Sequence, residues 1–373
     1  MSLLSAGASP PGLPFVRATG SPFEVGCRHG AARAAPLRAF LDDGLARMAR
    51  LAPEPVSMAA LGPRLAEYSD AIAAATPRLS EEIDGLARGA RISREEAVLL
   101  QARREIIGFQ RVPAAGDCTT YASRTAGPGG DPVLAQTVDL NGNLDDQIAV
   151  LDVAVSPSGD GAPRRALVLS FGGLLGYLGV NSDGLAIGLN LVLGGEWRPG
   201  LPPYLAIRHL LDSAGSVAEA LEILARLPLA SSRSLTLCDA GRVACAEIVD
   251  NEVRLVEPGG DLHVGHTNHL LHPDLAGRDA LNVFARNSSR LRLSACQAGL
   301  AELAATGAGA DVEQHFAVLS RPPVCVADSG DIRRERTVAA VVMLPARGEL
   351  HVRPGDPSRS ATESFAIDVA VRQ

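Results

Sequence analysis

The 373-residue chain contains no lysine; arginine supplies all 35 of its permanently basic side chains. That absence excludes enzymes that work through a Schiff-base lysine and nucleotide-binding loops that need a P-loop lysine. The formal net charge is −7 and no basic stripe is visible, which argues against a nucleic acid or another polyanion as partner. No run of about 18 consecutive apolar residues occurs, so no membrane-spanning helix is expected. Met1 to Pro14 is small, apolar and proline-rich, without a basic n-region or a compact apolar core. It does not read as a secretory signal, and the expected compartment is the cytoplasm. The six cysteines, at positions 27, 118, 238, 245, 296 and 325, form no CxxC pair and no regular framework. Free thiols in a reducing compartment are expected, most of them small buried hydrophobes.

What is present suits an ordinary globular protein, with 46% apolar and 21% charged residues over a length that suggests two units or one large one. The first third reads as helix. Pro22 to Ala52, Met58 to Ala75 and Ser80 to Gly89 carry apolar residues three and four apart, and Ser93 before Arg94-Glu95-Glu96 is a capping box opening a helix through Phe109. Arg111 to Gly116 is a breaker. After Cys118 the texture changes to short β-rich runs separated by Gly, Pro, Asp and Asn: Thr119–Arg124, Pro132–Asp139, Ile148–Val155 and Ala166–Phe171. Tyr177–Val180 and Leu185–Leu191 flank the hairpin turn Asn181-Ser182-Asp183-Gly184. An amphipathic helix over Pro203–Leu227 precedes strands at Ser234–Cys238, Val243–Val249, Val253–Val256 and Leu262–Thr267. Helices over Phe284–Ala304 and Val312–Leu319 lead to strands at Thr337–Leu344, Glu349–Val352 and Phe365–Val371. This order predicts an α+β protein whose helices cover sheets stacked face to face. The change of texture near Gly116 divides the chain into a helical part over 1–117 and a β-rich part over 118–373.

Two patterns have ordinary explanations. Gly172 to Gly179 superficially resembles a dinucleotide loop, but a hairpin follows it rather than a helix, so close sheet packing is the expected use of its glycines. Four of the eight histidines, His263, His266, His269 and His272, fall in one segment. A zinc-dependent hydrolase is therefore an alternative reading. Residues three apart on a strand face opposite sides, and Gly265, Thr267, Asn268 and Pro273 oppose a helix. No metal and no other cofactor is expected.

Asp117-Cys118-Thr119-Thr120 sits where the helical texture ends and the β-rich texture begins. Together with Gln136-Thr137-Val138-Asp139 one hairpin later and His266-Thr267-Asn268-His269 further on, it resembles the isopenicillin-N acyltransferase-like group of N-terminal-nucleophile cysteine hydrolases. Gly179 to Leu185, Gly188-Leu189-Asn190 and the stretch from Thr337 through Pro357 fit the same resemblance. Two positions depart from the family's habit: Asp117 stands where glycine usually precedes the nucleophile, and Leu140 where an aromatic residue often follows the aspartate.

The resemblance implies a four-layer αββα sandwich, self-cleavage between Asp117 and Cys118, and a leader that stays associated afterwards. It implies Cys118 as nucleophile, Asp139 as the acceptor orienting its amine, and Asn268 as an oxyanion donor. Thr120 would support the site. The composition of each segment also admits blander roles: a surface turn for Asp139, a strand-end turn for Asn268, a plain strand position for Thr120. A site arginine is sought among Arg290, Arg333, Arg334 and Arg336 without a choice between them. Once freed, Cys118 carries both a thiol and an α-amino group whose ordinary pKa of roughly 7.7–8.0 makes it a usable base near neutrality. The expected activity is cleavage or formation of a small-molecule or peptide amide bond through a thioester. Acyl-coenzyme A is an admissible partner whose phosphates only arginine could meet. A non-catalytic binding protein on the same fold is the third reading.

The histidine spacing yields a direct test. Activity is expected to survive exhaustive chelation; stoichiometric zinc whose removal abolishes turnover would install the zinc hydrolase instead.

Overall fold

A computed structural model describes residues 12–51, 56–108, 118–124, 131–157, 163–256, 263–305 and 309–367. The strands are β1 (Phe15–Gly20), β2 (Thr119–Ser123), β3 (Val133–Leu140), β4 (Ile148–Val155), β5 (Arg165–Phe171), β6 (Leu178–Asn181), β7 (Ala186–Asn190), β8 (Arg233–Cys238), β9 (Val243–Val249), β10 (Glu252–Val256), β11 (His263–His266), β12 (Arg336–Leu344), β13 (Glu349–Pro354) and β14 (Glu363–Ala366). The helices are α1 (Pro22–Ala32), α2 (Ala34–Asp42), α3 (Gly44–Leu51), α4 (Met58–Ala75), α5 (Pro77–Ala90), α6 (Arg94–Ile107), α7 (Pro203–Ser213), α8 (Val217–Leu224), α9 (Pro273–Ala276), α10 (Val283–Ala305) and α11 (Val312–Leu319).

Two sheets form, in the orders β1-β4-β5-β6-β7-β8-β9-β10 and β11-β2-β3-β12-β13-β14. Near-continuous apolar runs such as β4 and β12 are what strands covered on both faces require. The sheets lie face to face, and side chains cross between them. Gln136 of β3 crosses between them, its Nε2 donating to Leu189 O at 2.7 Å and its Oε1 accepting from Leu189 N at 3.0 Å. Gly188 on β7 leaves the room; a Cβ there would stand 2.6 Å from Gln136 Oε1. Helices from the first third, with α7, cover the outer face of the first sheet. α10 and α11 cover the second, where Cys296, Leu300 and Phe316 pack on Tyr121, Ala135 and Val342. The architecture is the four-layer αββα sandwich.

The first third is not purely helical. Phe15–Gly20 pairs in parallel with β4, Phe15 opposite Val150 and Gly20 opposite Val155. Its alternation buries Val16 and Ala18, a period-two signal only six residues long. The helical stretch from Pro22 splits into three, with left-handed backbone at Leu45, Ala46 and Arg47. The expected helix over Pro203–Leu227 is two helices, because Ser216 starts a new one by accepting a hydrogen bond from Glu219 N at 3.3 Å. The last strand starts at Glu363 rather than Phe365. The breaker over Arg111–Gly116 lies outside the described residues.

α1 and α5 pack with their backbones almost in contact. Gly26 and Gly30 on one helix meet Gly85 and Gly89 on the other, and the four-residue spacing puts each pair on one face. A Cβ at Gly85 would lie 2.1 Å from Phe23 O, and one at Gly26 would lie 2.0 Å from Glu82 O. Gly85→Ala is expected to destabilise by at least about 1–3 kcal/mol in thermal or denaturant unfolding. Gly62→Ala on α4, where a Cβ meets nothing within 4 Å, is expected to be neutral or slightly stabilising. Equal stabilities for the two variants would refute this packing.

Candidate active site

Cys118 is buried immediately before β2, at the seam between the sheets. Its Sγ lies 3.4 Å from the backbone N–H of Asp139, which donates to the sulfur, and 3.6 Å from Asp139 O. The carbonyl oxygen of Cys118 accepts two hydrogen bonds, from Asn190 Nδ2 at 3.0 Å and from Arg292 Nη1 at 2.8 Å. Arg292 also reaches Thr119 Oγ1 at 3.3 Å and Asn268 Oδ1 at 2.8 Å. Asn190 ends β7, Asn268 follows β11 and Arg292 comes from α10, so both sheets and an outer helix converge on one residue.

The loop carrying Asn268 is pinned from two directions. Glu247 of β9 accepts from Leu271 N at 2.6 Å and His272 N at 3.0 Å, and pairs with His266 Nε2 at 2.8 Å. Those three contacts hold its carboxyl below the usual range against the opposing effect of burial. On the other side Ser289 Oγ accepts from Asn268 N at 2.9 Å and His269 N at 3.1 Å. Because Asn268 Oδ1 faces Arg292, its Nδ2 is turned to the donor side, where one hydrogen meets Leu191 O at 2.8 Å. The second amide hydrogen is available to an incoming oxygen.

Asp139 is buried beside Cys118, not on a surface turn, and its Oδ2 accepts from Thr137 Oγ1 at 3.3 Å. Thr120 turns instead between the sheets towards Gly188, and its Oγ1 has no hydrogen-bond partner among the described residues. Asp117 lies outside the described residues.

None of the four arginines considered from sequence reaches the site. Arg290, Arg333 and Arg334 are exposed, and Arg336 pairs with Asp145 at 2.6 Å. Arg292 occupies the place, and Asn190 stands beside it; only the three-residue spacing of Ser289 and Arg292 on one helical face could have signalled the former. The histidines disperse: His266 pairs with Glu247, His269 Nδ1 lies 2.7 Å from Ser289 Oγ, and His272 caps α9 by accepting from Asp274 N at 3.2 Å. His263 lies on the rim of a separate cavity beside α10. Among the described residues no group of three or more His, Cys, Asp or Glu could hold a metal ion.

The other five cysteines are free as well. Burial pushes the Cys245, Cys296 and Cys325 thiols up to about 12, and raises Cys27 and Cys238 as well. They are inert thiols at neutral pH.

A cavity opens beside Cys118, with an empty volume of about 810 Å³ including its mouth. Phe171, Tyr177 and Tyr204 form an aromatic wall: Phe171 meets Tyr177 edge-on at 5.1 Å and Tyr204 stacks on Tyr177 at 5.3 Å. The opposite wall comes from the first third of the chain, with Phe40, Leu100, Arg103 and Arg104. Gln101 clamps the glycine-rich run by donating to Gly173 O at 2.9 Å and accepting from Leu175 N at 3.0 Å. The glycines of that run let Phe40 and Leu100 approach; a Cβ on Gly172 would stand 2.6 Å from the Phe40 ring.

Residues 125–359 match the family model described as acyl-coenzyme A:6-aminopenicillanic acid acyl-transferase. The chain belongs to that family and is an enzyme acting on amide bonds. No curated protein sequence matches. Among solved structures the chain is similar to a penicillin V acylase from Agrobacterium tumefaciens at 14% identity, covering 69% of this chain and 89% of that one, with a TM-score of 0.46. It is also similar to a mutant of a conjugated bile acid hydrolase from Clostridium perfringens at 12% identity, covering 68% of this chain and 97% of that one, with a TM-score of 0.46.

Removing the Asn268 donor is expected to lower kcat by about 10²–10³ with little change in affinity, since such donors act where charge develops in the transition state. Arg292→Lys keeps the charge but loses the fork linking Cys118 O to Asn268, and a loss of similar size is expected. Kinetics on material first checked by mass would decide; full activity in a processed Asn268→Ala enzyme removes that residue from the chemistry.

Proposed function

We propose that this enzyme is an autoproteolytically activated cysteine amidohydrolase or acyltransferase, with residues 1–117 as leader and 118–373 as catalytic chain. The supporting observation is the convergence on Cys118: a backbone donor at its sulfur, and Asn190 and Arg292 on its carbonyl. In maturation the Cys118 thiol attacks the carbonyl carbon of residue 117. The peptide C–N bond breaks as the acyl group moves to sulfur. Water then hydrolyses the thioester, leaving a carboxylate on residue 117 and a free amine on Cys118.

In turnover that amine takes the thiol proton and Sγ attacks the substrate amide carbon. The oxyanion is met by the remaining amide hydrogens of Asn268 and Asn190. Collapse expels the amine product, which receives the proton from the Cys118 ammonium. Water or a second amine then takes the acyl group from sulfur. Asp139 orients the Cys118 amine throughout. Coenzyme A thioesters would enter the same acyl-enzyme from the other direction. Six free cysteines suit a thiol enzyme of the cytoplasm.

Two buried ion pairs support a leader that remains bound after cleavage. Glu82 of α5 forks onto Arg208 of α7 at 2.9 and 3.0 Å, and Glu105 of α6 meets Arg233 of β8 at 2.8 Å. Intact mass spectrometry of the purified protein is expected to show two co-purifying chains separated before Cys118, and one chain for Cys118→Ala. An active wild-type enzyme that is a single uncut polypeptide refutes the proposal.

A further inference from the structure

We infer that the leader helix α6 carries a substrate-selecting anion site: Arg103, assisted by Arg104, receives a carboxylate that the substrate bears away from its scissile amide. The inference deepens the proposed function and rests on it for identifying the occupant as substrate.

The reasoning is a balance of charges inside the cavity beside Cys118. Its lining holds three guanidinium groups, Arg103, Arg104 and Arg233, and two carboxyl groups, Asp139 and Glu335. Arg233 is already satisfied by Glu105, and its plane lies over Trp197 and Tyr204 at 5.1 and 5.5 Å. Asp139 stands at the thiol, assigned above to the Cys118 amine. Glu335 acts electrostatically on Arg104. Arg103 is left over. Its polar contact is Nε donating to Ala46 O at 2.7 Å, a neutral carbonyl. Its Nη2 is sealed from solvent without a hydrogen-bond partner among the described residues, and so is Nη2 of Arg104. Burial, then the adjacent charges of Arg104 and Arg47, push Arg103 down to about 10.

A buried cation is ordinarily paired, because desolvation without a counter-charge is costly. Arg103 itself is half-buried, its guanidinium stands 5.7 Å over the Phe40 ring with the charges of Arg104 and Arg47 acting on it, and it lines the cavity. Phe40, Phe171, Leu174 and Leu189 make the intervening walls apolar. That combination suits an apolar segment ending in an acid. A single surplus charge favours a monoanion over a dianionic phosphate, and the planar fork matches a carboxylate.

The test measures binding, not turnover, so it stands apart from the catalytic proposal. Hexanoate, its neutral isostere hexanamide and inorganic phosphate are titrated calorimetrically into the processed enzyme. Hexanoate is expected to bind at least about tenfold more tightly than hexanamide, each 1.4 kcal/mol being a factor of ten. Arg103→Gln should abolish the preference, Arg104→Gln should weaken it, and Arg290→Gln on the exposed surface should leave it intact. Should the Gln variant fold poorly, Arg103→Lys is expected to retain a reduced preference. Equal binding of the two probes, phosphate binding more tightly than hexanoate, or a preference surviving Arg103→Gln would each overturn the inference. A hexanoate preference in a protein that turns over no amide would instead sink the catalytic reading and leave the anion site standing.

Discussion

The constraint on which the rest depends is the pair of buried ion pairs crossing from the first third of the chain into the sandwich. Glu82–Arg208 and Glu105–Arg233 place four charges out of water. Removing one partner from such a pair costs about 3–5 kcal/mol, because the other charge is stranded. The pairs need not add net stability over an apolar alternative, but they make separation of the two parts expensive and their register specific. Arg208 also donates to Leu175 O at 3.0 Å and Arg233 lies under Tyr204, so the pairs hold both the glycine-rich run and the aromatic wall. The cavity is therefore a joint product of two stretches of chain that a cut before Cys118 would separate covalently.

A second consequence concerns orientation around Cys118. Arg292 is fully buried, and its fork ties Cys118 O to Asn268 Oδ1. A side-chain amide can present either end; the guanidinium resolves the choice, because only the oxygen can accept from it. The donor end is then fixed without reorganisation, as the proposed oxyanion contact requires. Glu247 of β9 and Ser289 of α10 fix the loop backbone, so the Asn268 position is held by two segments outside its own loop.

Much of the sandwich was legible because its signals are local. The hairpin at Asn181–Gly184 is written in residues that tolerate its turn, and Asn181 Oδ1 indeed accepts from Asp183 N at 3.1 Å and Leu185 N at 3.0 Å. The capping box at Ser93 with Glu96 forms as read. Cys118, Asp139 and Asn268 were singled out by a family resemblance, and the fold brings them into one neighbourhood. What escaped was non-local. β1 is six residues long and has meaning only beside β4. Arg292 looks like any helical arginine until α10 is laid across the second sheet. Thr120, two residues from Cys118, shows the limit of proximity in sequence: alternation gives it the same face of the strand, yet its Oγ1 has no hydrogen-bond partner among the described residues. The share of the cavity that comes from the first third of the chain was invisible for the same reason, since nothing in an Ala-, Leu- and Arg-rich helix says which face meets a glycine run far along the chain.

The left-handed turn at the start of α3 ties these features together. Leu45, Ala46 and Arg47 have φ of 45, 58 and 62°. Non-glycine residues there cost about 1–2 kcal/mol each, and such strain persists only where the surroundings over-determine it. Here two contacts do so. Ala46 O, pointed inward by the turn, accepts from Arg103 Nε and holds that guanidinium at the cavity. Arg47, thrown to the other side, donates to Gly142 O at 2.9 Å and to Asn143 O, and pairs with Asp146. Gly142 lies three residues beyond Asp139, whose N–H faces the Cys118 sulfur. One short strained segment of the first third thus positions a cation of the cavity wall with its backbone and braces the loop behind Cys118 with its side chain. A regular right-handed turn would direct that carbonyl along the helix axis, to the amide four residues on, and would leave Arg103 without its one neutral acceptor.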